Sequence, residues 1–190
     1  MVPVPEKFFD WCSADDVLKE LGTTLDLEKV DLGKNRDARE AWIIAKFSSL
    51  VLPGDKCDIM LCKESFPDAK IRIEESGHIK YYEITQAFEG GDKMLKTPAE
   101  GKSKKHLEKI FLEGLHMAIV KKVEKHYDGA VHLLIYINNI PTWGLSQKFL
   151  EEHEEEFERY RGQFKSLNVL STRAGTAVQI HPKFKRFPNK

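Results

Sequence analysis

Residues 67–88 read PDAKIRIEESGHIKYYEITQAF, two runs rich in β-branched and aromatic side chains on either side of Ser76-Gly77. Such runs around a Ser-Gly pair predict a β-hairpin, with the glycine at a turn position that needs a positive φ. If Glu75 faces His78, the numbers of facing residues sum to 153, which sets Lys70 opposite Glu83 and Asp68 opposite Thr85; a four-residue loop is compatible with the same pairing. Facing residues share a side of the sheet and successive side chains alternate. Asp68, Lys70, Glu83 and Thr85 are therefore expected on one side, and Ala69, Ile71, Tyr82 and Ile84 on the other. Asp68 and Glu83 become diagonal neighbours, near enough for both carboxylates to ligate one hard cation such as magnesium, which prefers oxygen.

Outward from the hairpin, KCDIMLC (56–62) predicts a preceding strand, and DAREAWIIAKFSSLV (37–51), without glycine or proline, predicts a largely buried helix closed by Pro53-Gly54. Downstream, Leu107, Ile110, Phe111, Leu115, Ala118, Ile119 and Val123 recur at spacings of three and four, so 103–126 is expected to be an amphipathic helix. AVHLLIYIN (130–138) reads as a buried strand. A helix is expected from Ser146, with Phe149, Phe157, Tyr160 and Phe164 on one side, and AGTAVQIHP (174–182) as a further strand. Near the start, Ser13 followed by Ala14, Asp15 and Asp16 has the form of an N-cap with first-turn acids, and Gly22 ends that helix. An α/β fold in a single domain, 1–190, is expected: a helical N-terminal extension (1–35), a core (37–138), and a C-terminal helix and strand with a basic tail (139–190).

Composition sets the bounds on function. Hydrophobic residues are 41% and charged residues 32% of the 190, a globular balance that can bury a core. No apolar run approaches the roughly 20 residues of a membrane span. MVPVPEKFFDW does not read as a secretory signal, so a cytoplasmic location is the expectation. Cys12, Cys57 and Cys62 match no zinc spacing and are read as reduced packing residues. The formal net charge is zero, yet six glutamates crowd Glu151–Glu158 and the chain after Arg161 carries no acid. His106, His116 and His126 lie ten residues apart and point in different directions around a helix, which argues against a metal trio.

The succession of helix, three-strand meander, helix and strand resembles the core of the PD-(D/E)XK nuclease superfamily, the restriction-endonuclease-like fold with a central mixed sheet flanked by helices. Pro67-Asp68 stands where that family has its PD, and Glu83-Ile84-Thr85 where it has (D/E)XK. The resemblance spans residues 37–138. It implies that Asp68 and Glu83 ligate Mg2+ or Mn2+ and that the chain hydrolyses phosphodiester bonds of nucleic acid. Thr85 departs from the family's lysine; Lys70, expected opposite Glu83, is the first substitute, and Lys104 or Lys105 the second. Glu40 matches by position the family's first-helix glutamate.

Lys93, Lys96, Lys102, Lys104 and Lys105, in and after a glycine-rich loop, are candidates to grip a phosphate backbone. Trp143 is a candidate for base stacking or for capping the core. The partners expected are DNA or another nucleic acid, with no membrane and with a homodimer left open. Two other classes stand beside the nuclease: a catalytically inactive relative of the same fold that binds nucleic acid or protein, and a small interaction or immunity-type protein whose meander is purely structural.

Overall fold

The computed structural model describes residues 6–22, 36–52, 56–87, 104–125, 127, 131–137, 147–172, 175–183 and 185–187. The fold is α/β. Its packing divides the chain into two units: Met1–Ile84 with Gly175–Ala177 and Phe187–Lys190, and Thr85–Ala174 with Val178–Arg186.

In the first unit the hairpin is the middle of an antiparallel meander. Strands β1 (Cys12–Ser13), β2 (Cys57–Leu61), β3 (Ala69–Ile73) and β4 (Ile79–Gln86) pair in chain order. A short 3-10 turn (Glu6–Phe9) leads into β1, and helices α1 (Ala14–Leu21) and α2 (Arg36–Val51) cover one face. The expected inner side chains Ala69, Ile71, Tyr82 and Ile84 are all buried, as are Ile59 and Leu61 of β2. Phe47 of α2 meets Tyr82 edge to face with ring centroids 5.6 Å apart. Burying a side chain such as Ile71 contributes about 1.5–3 kcal/mol, so this face anchors the meander to the helices.

Both helix starts and stops follow local chemistry. Ser13 Oγ accepts the Asp16 N–H at 3.0 Å, capping α1, and Gly22 takes φ 91° just past its end. The Gly22 carbonyl then accepts the Trp42 indole N–H at 2.8 Å, tying the end of α1 to buried α2.

The register differs from the expectation. Ala69 faces Tyr82, Lys70 faces Tyr81 and Arg72 faces Ile79, so facing numbers sum to 151 rather than 153. The cause is the loop. Ile73 N–H donates to the His78 carbonyl at 3.1 Å and Gly77 N–H to the Ile73 carbonyl at 2.8 Å, leaving Glu74–Gly77 as the turn, with Gly77 at φ 64°. A shift of two preserves which side chains share a face, whereas a shift of one would have inverted it. Lys70 is therefore opposite Tyr81, not Glu83, and Asp68 is not opposite Thr85.

The second unit contains the end of β4 from Thr85, helix α3 (Lys104–Val123), β5 (His132–Ile137), helices α4 (Gln147–Glu152) and α5 (Glu154–Glu158), β6 (Ser166–Ser171), and most of β7 (Thr176–His181) and β8 (Lys185–Phe187). Strands β5 and β6 are parallel, with His132 opposite Ser166, a pairing that requires the crossover which α4 and α5 provide. Phe111, Leu115 and Ile119 of α3 pack with Leu133, Ile135, Phe149, Phe157 and Val169 in one buried cluster. The single helix expected from Ser146 is instead two short ones, interrupted at His153, whose ring accepts no cap bond and lies 2.7 Å from the Phe149 carbonyl. Strand β6 was not expected.

Candidate active site

The site begins where the β3–β4 ladder ends. Hydrogen-bonded pairs fall at 73 and 78, 71 and 80, 69 and 82, so the next falls at Pro67 and Ile84. Proline has no N–H to give. On the other half of that pair, the Ile84 N–H donates to a side chain, Asp68 Oδ2, at 2.8 Å. Continued one step past Ala69 and Tyr82, the register sets Asp68 opposite Glu83, so the two acids are direct rather than diagonal neighbours. Asp68 is 5% exposed and Glu83 is fully buried.

The second oxygen of Asp68 reaches the first helix. Arg36, at the start of α2, donates Nη2–H to Asp68 Oδ1 at 2.7 Å and Nε–H to Glu40 Oε1 at 2.7 Å, one turn further along. Glu40, matched from sequence by position alone, is thereby joined to Asp68. Burial raises the pKa of Glu40; the Arg36 hydrogen bond opposes this, and the charge of Asp68 adds to it. Arg36 itself is raised, first by its bond to Glu40. The guanidinium arm is 64% exposed whereas the acids it joins are 11% and 3% exposed, so positive charge caps the cluster from the solvent side.

Strand β2 adds a third member to the row. Cys62 N–H donates to the Asp68 carbonyl at 3.0 Å, one step beyond the pair Leu61 and Ala69. Burial pushes the half-buried Cys62 thiol up; Lys70 opposes this, and Glu64, Asp68 and Glu83 reinforce it. Lys70 thus acts in the same field as both acids, although its ammonium lies over the Tyr81 ring, 5.8 Å from the centroid. Sequence reasoning missed Arg36 and Cys62. The spacing of four between Arg36 and Glu40 was a visible signal for their pairing; the bond to Asp68, 32 residues away, had none.

Among the described residues no group of three or more His, Cys, Asp and Glu is arranged to hold a metal ion. The donor chemistry of the pair Asp68 and Glu83 fits a hard divalent cation, which takes one or two carboxylates and fills its remaining positions with water or phosphate oxygens. The Arg36 guanidinium on Asp68 and Glu40 marks the same place as one that attracts positive charge.

Of the other expected site residues, Lys105 is exposed in the first turn of α3. Lys93, Lys96, Lys102 and Trp143 lie outside the described residues, as does the side chain of Lys104. Thr85 is buried on β4. His116 and His132 have packing partners: His116 Nε2 lies 3.1 Å from Glu156 Oε2 and its Nδ1 2.8 Å from Arg159 Nη2, while His132 Nδ1 lies 2.7 Å from Ser166 Oγ. All three cysteines are free thiols, with Cys57 buried. No helix among the described residues is long and apolar enough to cross a membrane. No family model, no curated protein and no solved structure matches the chain.

Proposed function

We propose that the chain is a metal-dependent nuclease that hydrolyses phosphodiester bonds of nucleic acid, with Asp68 and Glu83 as the residues that would hold Mg2+ or Mn2+ and Glu40 beside them. The observation that carries this reading is the Arg36 bridge, 2.7 Å to each of Glu40 and Asp68, at the point where the strand register sets Asp68 against Glu83. The element order α2, β2, β3, β4, α3, β5 supports a restriction-endonuclease-like core. A divalent cation bound there supplies a lowered pKa for the attacking water and counter-charge for the phosphoryl oxygens. Lys70, two residues beyond Asp68, provides a further cation toward the phosphate, and Glu40 is an acid that holds its proton more readily than an exposed carboxylate.

The test is cleavage of circular single-stranded DNA and supercoiled plasmid with magnesium or manganese in excess. Hydrolysis that requires metal and falls about a hundredfold in Glu83→Gln is expected, the scale of losing one electrostatic element of an active site. Absence of hydrolysis together with a melting temperature that metal does not move would overturn it.

One observation favours a second reading, a catalytically inactive relative that binds nucleic acid or protein. Arg36 then serves as the permanent counter-charge of Asp68 and Glu40, in keeping with Thr85 at the lysine position. Under that reading metal leaves the melting temperature of the parent unchanged while nucleic acid or a protein partner raises it.

A further inference from the structure

Among the described residues the aromatic rings that stand out in water are Phe66, 39% exposed, and Tyr81, 40% exposed. Each lies two residues before one of the acids: Phe66 before Asp68, Tyr81 before Glu83. On a strand, a spacing of two returns a side chain to the same face, roughly 7 Å along, so Tyr81 stands beside Glu83 on the side opposite α1 and α2, whereas Phe66 precedes β3 and is not placed by that alternation. Its neighbour across the ladder is Lys70, whose ammonium lies 5.8 Å from the ring centroid. One step further, Arg72 lies flat over Trp11 at 4.5 Å, held there by Asp58. An exposed ring and two cations, Tyr81, Lys70 and Arg72, therefore share the face of Glu83.

We infer that this face binds single-stranded nucleic acid, with a base stacked on Tyr81 and a phosphate at Lys70. The inference rests on the proposed nuclease reading and names its substrate class. Stacking on a flat side chain requires a base whose π-face is free, which an unpaired strand offers and a duplex does not. A cation poised over the same ring is placed to meet the phosphate of a stacked nucleotide. An apolar protein partner has no use for an ammonium beside an exposed ring, and Lys70 selects against it.

The experiment is fluorescence anisotropy of the full chain with labelled oligothymidine and with a duplex of equal length, in EDTA so that binding is read without cleavage. The single strand should bind at least tenfold tighter. Tyr81→Ala should weaken it by about fivefold to a hundredfold, the range for loss of one stacked base, and Tyr81→Phe should restore most of it. Lys70→Ala should reduce the slope of log affinity against log salt by about 0.7, one phosphate contact on a single strand. Equal or tighter duplex binding, no oligonucleotide binding, or affinity unchanged in Tyr81→Ala at an unchanged melting temperature would overturn the inference. The two proposals fail separately. Single-strand binding that depends on Tyr81, without hydrolysis when metal is added, sinks only the nuclease reading; metal-dependent hydrolysis with KM unmoved in Tyr81→Ala sinks only the stacking surface.

Discussion

Removing the Arg36 guanidinium is the sharpest perturbation this structure offers, because one side chain bridges two acids drawn from separate elements. Breaking a fully buried ion pair by deleting one partner costs about 3–5 kcal/mol, and an exposed pair is worth about 0–1 kcal/mol. Arg36 lies between these limits: its own arm is 64% exposed, but Asp68 and Glu40 are 3% and 11% exposed. We expect Arg36→Ala to lose about 2 kcal/mol at neutral pH, or about 4–8 °C in Tm for a chain of this size. The loss should shrink in acid, where a protonated Glu40 no longer needs its partner. Magnesium should stabilise the variant by about 1.4 kcal/mol at ten times the variant's Kd, and the parent by less at the same concentration. Urea denaturation across pH, with and without magnesium, measures all three. A loss below about 0.5 kcal/mol, the scale of a surface pair, or one that persists unchanged into acid, would refute the electrostatic account.

Glu40 gives a second pH signature. Its pKa is raised in the fold, so its contribution is fully present below the ordinary glutamate value of 4.5 and is lost as pH rises through the raised one. Glu40→Gln should accordingly melt higher than the parent at neutral pH and converge with it in acid. His181 is lowered, first by burial and then by Arg161, so its imidazole should titrate below 6.5 by NMR, its contribution being fully present above 6.5 and lost as pH falls through the lowered value. Ile71→Ala, at a site with no exposure, should cost about 2–5 kcal/mol in chemical denaturation. Gly77→Ala should cost about 1–2 kcal/mol from its φ of 64° alone, since nothing lies within 4 Å of the added Cβ.

The elements with a strong local signal were legible: the hairpin faces from strand alternation, α2 from its uninterrupted apolar run, α3 from its period, α1 from Ser13 and Gly22. The register was not, because it depends on how many residues the turn consumes, and Ser76-Gly77 fits either a tight turn or the back half of Glu74–Gly77. Strand β6 escaped notice because Ser166, Asn168 and Ser171 read as a polar surface, yet all are buried. Asn168 resolves the conflict by donating Nδ2–H to Ser166 Oγ at 2.7 Å on its own strand and to the Leu133 carbonyl at 3.2 Å, a bond that exists only once β5 lies alongside. Strand β1 has two residues and is defined by its partner, not by its own composition. At the site, Asp68, Glu83 and Glu40 were visible as residue types in order along the chain, while the guanidinium that joins two of them is a long-range contact that periodicity does not carry.

Asp68 is both a chemical group and a structural splice: its Oδ2 continues the β3–β4 ladder where proline interrupts it. An asparagine there can keep that splice only by turning its amide oxygen to Ile84, which drives its NH2 group onto a guanidinium. Silencing position 68 therefore disturbs the weave of the strands along with the chemistry. Glu83→Gln leaves that splice in place, so it removes a charge from the site without touching the bond that joins Asp68 to Ile84.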